Sequence, residues 1–518
     1  GSTADTVGAV ANSMYTSGTL GATGGLTVDG VTPSVITSTI TGGANNVGGL
    51  TKVGAGKLTL SNANTLKGVT LVKTGTLELN HIDALKSSTL DTGTSGAQQV
   101  TFAIANNTYN IGALQGADDL AIGANTISVG ANNSSTTYSG VISGSGNFVK
   151  VGTGTQTLTG TNTYTGTTTI NGGTLQIGAA GPSGTLGAGA VILSNNANLR
   201  FSRTVDTTIS NAISGVGNVY ANITTSAGTA GKLTVSNSNF NLTNGLIDLR
   251  ADGDVTLNTP IVTSSAANGS PGTTFAAILV AGQALAPGDI SGGNVKVVGT
   301  GNITVGTGGV AAIYSGSISG TTGTTGMVPN GSGKFRYNSD ESTAHYAKAL
   351  NVSGSSNTGV NIIYREAPSV DVTAYSVPSG ELTYNGSAQY GTTGVSFGAL
   401  QNGDSTAVAF NNTYLQYAYN NNGDTSAKNA GAYTVTASGL VSNLGYVINY
   451  KTGSLVIGKA NVVLKGGRTY NGSTVVSGSD VRAEGVADEK GMYKYEFEVP
   501  EKFRGKQVNL VFEASMTD

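Results

Sequence analysis

The tightest carboxylate groupings in the chain are Asp118-Asp119 and Asp252-Gly253-Asp254. Carboxylates this close suit two kinds of chemistry, acid–base cleavage of a glycosidic bond and calcium binding. Both need several such groups on one face, with Arg, Lys or the cation beside them. No second charged cluster accompanies either pair, so both read as solvated turns. The two histidines are His81, beside Asp83, and His345, in the polar segment Ser342 to Lys348. A histidine base needs a Ser nucleophile and a third, orienting partner. Neither segment supplies them locally, so both read as surface or loop residues. Gly144-Ser145-Gly146 and Gly331-Ser332-Gly333-Lys334 have the glycine density of a phosphate loop. They lack Gly-x4-Gly-Lys-Ser/Thr and a strand–loop–helix setting, so they read as turns. With no cysteine and only two histidines, clustered zinc sites and thiol chemistry are excluded. The sequence therefore nominates no catalytic, cofactor-binding or metal-binding residue and no cofactor, and the expectation is a protein that is not an enzyme.

The elements that carry these residues are repetitive. Gly48 to Asn80 reads GGLTKVGAGKLTLSNANTLKGVTLVKTGTLELN, and Gly146 to Gly178 reads GNFVKVGTGTQTLTGTNTYTGTTTINGGTLQIG. The copies share Lys52 with Lys150, Gly54 and Gly56 with Gly152 and Gly154, Asn64 with Asn162, Gly68 with Gly166, and Gly75-Thr76-Leu77 with Gly173-Thr174-Leu175. Fainter echoes follow: Ala230 to Asn239 nearly reproduces Ala55 to Asn64, and Tyr138 to Gly144 returns as Tyr314 to Gly320. Apolar residues alternate with small polar ones at Leu58/Leu60, Val69/Leu71, Leu77/Leu79, Leu175/Ile177 and Leu233/Val235. Period two marks strands with one face buried.

Short strands ended by Gly and Asn suit a sandwich, a propeller or a parallel solenoid. The chain lacks regular hairpin dipeptides, its outward positions are Thr, Ser and Asn, and its repeats are in tandem, which favours coils stacked along one axis. Coils of roughly 20 to 25 residues over 1–363 give about 16 rungs and a rod of about 75 Å at the strand spacing of about 4.8 Å. Each rung needs only a few inward residues. That explains how a chain with 79 glycines, no Trp and 38% apolar residues folds at all.

A formal net charge of −2 and 10% charged residues remove the basic footprint of a nucleic-acid binder. No apolar run reaches the roughly 18 to 20 residues of a membrane span. Gly1-Ser2 lacks the features of a signal peptide and reads as a cloning remnant, with any export signal and membrane anchor expected outside the chain. Near Tyr364 a Pro-containing junction precedes a Tyr-rich stretch, which predicts a globular all-β module over 364–459 closed by a strand at Gly453 to Ile457. Thr469 to Ser473 repeats Thr383 to Ser387, which predicts a partial second module over 460–487. Residues 488–518 belong to a charged tail of uncertain origin, 14 charged residues falling within 481–518. Its segments Tyr493 to Pro500 and Gln507 to Glu513 read as two strands without partners.

The KxGxG…LxLxxxNxxxG…GTLxL pattern at Lys52 to Leu79 and Lys150 to Ile177 resembles the passenger-associated repeat of autotransporter and filamentous-haemagglutinin-type adhesins. That resemblance implies a right-handed parallel β-helix. Leu382-Thr383-Tyr384-Asn385-Gly386, Asn429 to Val435 and Asn449 to Ile457 resemble the MBG/YDG modules of large bacterial surface adhesins. Met492 to Glu513 is similar to a jelly-roll segment of family-2 glycoside hydrolases, but it stops before such a domain closes. Together the first two likenesses imply an extracellular filament on a Gram-negative surface, moved out by an outer-membrane β-barrel transporter and serving cell adhesion or biofilm. The receptor would be a host or neighbouring cell, matrix or glycan, with no nucleic-acid partner. The competing readings are a β-helix enzyme acting on extracellular polysaccharide and a ligand-free spacer. Lys52 and Lys150 would be solvated edge residues that block sideways strand pairing. The tyrosines of 364–459 would be mostly core. Binding should lie where the repeat breaks, from about Ser264 to Asn361 and in the Tyr-rich module.

Overall fold

A computed structural model describes residues 25–41, 48–94, 99–226, 228–236, 239–267, 275–341, 358–390, 394–419 and 426–459, with the backbone of short strands at 5–7, 14–15, 461–465, 482–484 and 513–515. The chain divides into two compact units, Gly1–Ala367 and Pro368–Asp518. Among the described residues helix is confined to Thr406–Ala409 and a single 3-10 turn at Gln401–Gly403.

The first unit is a parallel β-helix. Its longest sheet has 14 strands, from Asp5–Val7 to Asn302–Thr304, and every neighbouring pair along it is parallel. A five-stranded sheet runs beside its first part, ending at Val100–Phe102. A ten-stranded sheet begins at Thr136–Tyr138, and a four-stranded sheet from Thr207–Ile209 to Val295–Val297 supplies a third face. One turn takes 18 residues between Ile111 and Val129 and 27 between Ile213 and Phe240. It then takes 42 between Ile261 and Ile303, and the long sheet stacks 14 strands from Asp5–Val7 to Asn302–Thr304.

Stacking in register places like on like. Phe148, Thr168, Val191, Ile213, Phe240 and Ile261 form one inward column, all fully buried. Each large apolar side chain so buried contributes roughly 1.5–3 kcal/mol, which lets a thin core hold a glycine-rich chain. Leu58/Leu60, Leu77/Leu79, Leu175/Ile177 and Leu233/Val235 all point inward. Val69/Leu71 do not: Val69 is exposed, while Thr70 and Val72 are buried. Both parities of Val69-Thr70-Leu71-Val72 offer apolar residues, and the register of Leu50 on Thr70 and Lys52 on Val72 decides between them. The buried Thr70 hydroxyl is satisfied by the Ser88 hydroxyl at 2.8 Å.

The unit closes out of sequence order. Val310–Ser315 pairs with Gly359–Tyr364, and the earlier strand Phe335–Arg336 lies outside it at the sheet edge. Phe335 and Tyr337 stack on Tyr364 with ring centroids 6.4 and 5.8 Å apart. An edge strand two residues long offers little for another strand to pair with.

The second unit contains mixed sheets. Ser369–Ala374 pairs with Val395–Phe397 and Val447–Lys451. Val377–Thr383, Gly453–Gly458, Gly431–Ser438 and Gln416–Tyr419 form a four-stranded sheet over a core that includes Val377, Tyr419, Val435, Leu455 and Ile457. Tyr419 and Tyr446 are buried, Tyr375, Tyr384, Tyr417, Tyr433 and Tyr450 pack partly buried against that core, and Tyr390 and Tyr414 are exposed. The segments Tyr493 to Pro500 and Gln507 to Phe512, the body of the predicted partial module and His345 lie outside the described residues.

Candidate functional site

The repeat positions shared by the two copies are scaffold. Lys52 and Lys150, expected at the solvated edge, are instead buried. Each shares the inward parity of Leu50 or Phe148 two residues before it. The Lys52 ammonium donates to the carbonyls of Val53, Gly54 and Thr74 at 2.8, 2.7 and 3.1 Å. Lys150 donates to Val151, Gly152 and Gly172 at 2.6, 3.2 and 3.3 Å. The lysine thus ties the turn of its own coil to the turn of the next. Burial pushes the Lys150 ammonium down to about 8, and it also lowers Lys52, where nearby Asp29 pulls the other way.

The shared asparagine does the same for the backbone at another corner. The Asn64 amide accepts from Ile40 N at 2.8 Å and donates to Ala84 O at 3.0 Å. Asn162 accepts from Ile142 N at 2.9 Å and donates to Thr185 O at 2.7 Å. Gly68 and Gly166 lie where the preceding coil passes close: a Cβ would stand 2.6 Å from Gly48 and 2.2 Å from Gly146 O.

The candidate chemical groups are scattered. Asp118 is buried rather than solvated, while Asp119 is exposed and accepts from Val141 N at 2.8 Å. The Asp118 carbonyl takes the Tyr138 hydroxyl at 2.6 Å, and burial is the first cause that drives that phenol far above its ordinary range. Asp252 caps Thr225, and Asp254 pairs with Lys296 at 2.7 Å. Burial works to raise the Asp254 carboxyl, but its bonds to Lys296 and Asn294 outweigh that and hold it below its usual value. His81 Nδ1 accepts from Asp83 N at 3.0 Å, an arrangement internal to one turn. Gly144, at φ +125, closes the strand Ile142–Gly144 ahead of the turn. Among the described residues no group of three His, Asp or Glu converges.

The repeat breaks at the far end of the ten-stranded sheet. Its outward row runs Thr157, Gln176, Arg200, Tyr220, Asp248 in register. The next rungs of that row are Ile278 and Ala312, and the parallel row passes from Asn222 and Arg250 to Val280, Tyr314 and Ile363. Val280, Ala312, Tyr314 and Ile363 are buried on this outer side, with Phe275 and Ile278 packed against them. The sheet face therefore changes from open to covered, leaving a ledge at Arg200, Tyr220 and Asp248.

A loop after Ala277–Ala281 borders the ledge. Gln283 reaches Asn222 Oδ1 at 2.9 Å. Arg365, almost fully buried, holds the loop by donating to the carbonyls of Ala281, Asp289, Gly292 and Gly293. On the ledge the Arg200 guanidinium lies over the Tyr220 ring at 5.6 Å. Arg250 binds Asp248 through two bonds of 2.7 and 3.2 Å. Burial works to lower Arg250, but the Asp248 carboxylate outweighs it and the group is raised. Burial, then Asp248, raises the Tyr220 phenol, so the ring stays neutral. This arrangement can stack on a flat ring and pair with an anion.

The irregular segment expected from about Ser264 to Asn361 contains only Gln283 of these residues; Arg200, Tyr220, Asp248 and Arg250 precede it, Arg365 follows it, and the sequence reading named none of the six. The available signal was parity: Arg200 and Tyr220 each follow an inward apolar residue, Leu199 and Val219.

Residues 50–79 and 148–177 match the family model described as Passenger-associated-transport-repeat, the two copies whose lysine, asparagine and glycines build the coil corners. No curated protein and no solved structure matches the chain.

Proposed function

We propose that the chain is a β-helical passenger region of a secreted bacterial surface protein, and that it acts in adhesion as a stalk which presents contact surfaces. The carrying observation is that the positions common to the two passenger-associated repeats are spent on coil corners, while the outward positions vary freely. A repeat built this way makes length and rigidity and leaves chemistry to the breaks. The same repeat supports an outer-membrane β-barrel translocator as partner, and the reading extends to the surface of a Gram-negative cell. No helix among the described residues is long and apolar enough to cross a membrane. The second unit would serve as a further contact module of the MBG/YDG type. The engagement of Asp119 by a backbone N–H, of Asp252 at Thr225 and of Asp254 by Lys296 favours adhesion over polysaccharide cleavage.

The test places the chain between an export signal and an outer-membrane barrel in a Gram-negative host. Externally added protease should cleave it on intact cells, and those cells should attach to surfaces more than barrel-only cells do. A chain protected from external protease, or release of reducing ends from polysaccharide by the purified protein, would overturn this reading.

A further inference from the structure

The ledge differs from every other stretch of the outward row. Upstream rungs carry Thr137, Thr157 and Gln176, which are uncharged, and downstream rungs are apolar and covered. Only between them do a cation, a ring and a carboxylate occupy successive rungs, separated by the strand spacing of about 4.8 Å. Arg250 is already matched by Asp248, and Glu341 adds a second carboxylate near it. Arg200 is exposed and has no ion-pair or hydrogen-bond partner among the described residues, so its N–H donors are not spent within the fold, and its guanidinium carbon lies 5.6 Å from the Tyr220 ring centre. A guanidinium placed over a ring keeps its N–H fork available for bidentate pairing with a carboxylate. Beside it, Tyr220 offers part of its ring, and Asn222 and Gln283 offer amides at the foot of the raised loop.

We propose that the ledge formed by Arg200, Tyr220, Asn222 and Gln283 binds an acidic polysaccharide, with Arg200 pairing a uronate carboxylate and Tyr220 packing against the sugar face. This deepens the adhesin reading and rests on it for its biological meaning, but it concerns the purified chain alone. Arg365 acts here as a positioning residue, since it fixes the loop that carries Gln283.

Binding of the full chain to polygalacturonate is measured by calorimetry, with fully methyl-esterified polygalacturonate as the neutral counterpart. The parent should bind the acid form and lose at least about ten-fold on esterification, as befits a charge-assisted bidentate pair. Arg200→Gln and Tyr220→Ala should each weaken binding by about ten-fold or more, with circular dichroism unchanged. Lys57→Gln removes the same charge at a distant exposed ion pair with Glu78 and should leave binding within about two-fold. The proposal is overturned by absence of binding, by equal binding of the ester, or by equal losses in Arg200→Gln and Lys57→Gln, which would signify unspecific charge attraction. The display experiment needs no ligand, so failure of the ledge and failure of the passenger reading are separately visible.

Discussion

Replacing Lys150 by Met tests whether a buried ammonium holds two turns of the helix together. A fall from 10.5 to about 8 means that keeping this group charged in the folded chain costs about 3 kcal/mol at neutral pH. The substitution removes that cost, but it leaves the carbonyls of Val151, Gly152 and Gly172 without their donor. Orphaned buried acceptors cost about 1–3 kcal/mol each, so three at about 2 outweigh the relief and give a net loss of about 3 kcal/mol. The linkage has a definite sign. Between pH 8 and 10.5 the unfolded chain binds more protons at this lysine than the folded chain, so stability contributed by this site rises with pH through that window. From pH 8 to 9.5 the gain is about 1.6 kcal/mol in the parent and nil in Lys150→Met. With no Trp in the chain, the suitable readout is hydrogen exchange of the amides in Phe148–Lys150 and Thr168–Ile170, followed by mass spectrometry at both pH values and corrected for intrinsic exchange. Subtracting variant from parent cancels the other titrating groups. Amide protection that is unchanged or higher in Lys150→Met at pH 7 would refute the carbonyl-tethering argument. An identical pH response in the two chains would refute burial of the charged form.

Two further outcomes follow from single side chains. Asn162→Leu keeps the volume but strands Ile142 N–H and Thr185 C=O, so the local opening free energy of that coil should fall by about 2–4 kcal/mol in the same exchange experiment. Arg365→Met should free the loop from Gly282 to Gly293, seen as faster limited proteolysis there while the rungs upstream of Thr207 keep their protection.

The fold was legible because a parallel β-helix writes its period directly into the chain: inward Leu, Ile and Val alternate with small polar residues, and turns fall on glycine. What parity alone could not settle was a strand apolar on both faces. Val69-Thr70-Leu71-Val72 needed the neighbouring rung to choose, and the rung chose Thr70 and Val72. Lys52 and Lys150 failed for the opposite reason. Their parity pointed inward, but a lone lysine is ordinarily solvated, and only the three converging carbonyls explain its burial. Asp118 is another buried charge-bearing side chain whose surroundings come from other coils, beyond the reach of local pattern. Arg365 donates to carbonyls more than seventy residues earlier, a pairing no local spacing encodes.

These cases explain why the ledge stands where it does. The inward columns fix the length of each strand and the register between rungs, so extra residues can enter only at the corners. As the turn lengthens from about twenty residues to 42 between Ile261 and Ile303, the surplus must lie on the outside of the coil. It then needs its own anchors, which Arg365 supplies for the loop after Ala281, and its own apolar contacts, which Val280, Ala312, Tyr314 and Ile363 supply on a face that is polar elsewhere. The border between covered and open rungs is the place where a side chain such as Arg200 meets both solvent and a neighbouring ring. Repetition builds the axis, and its interruption creates the chemically mixed surface that a uniform helix lacks.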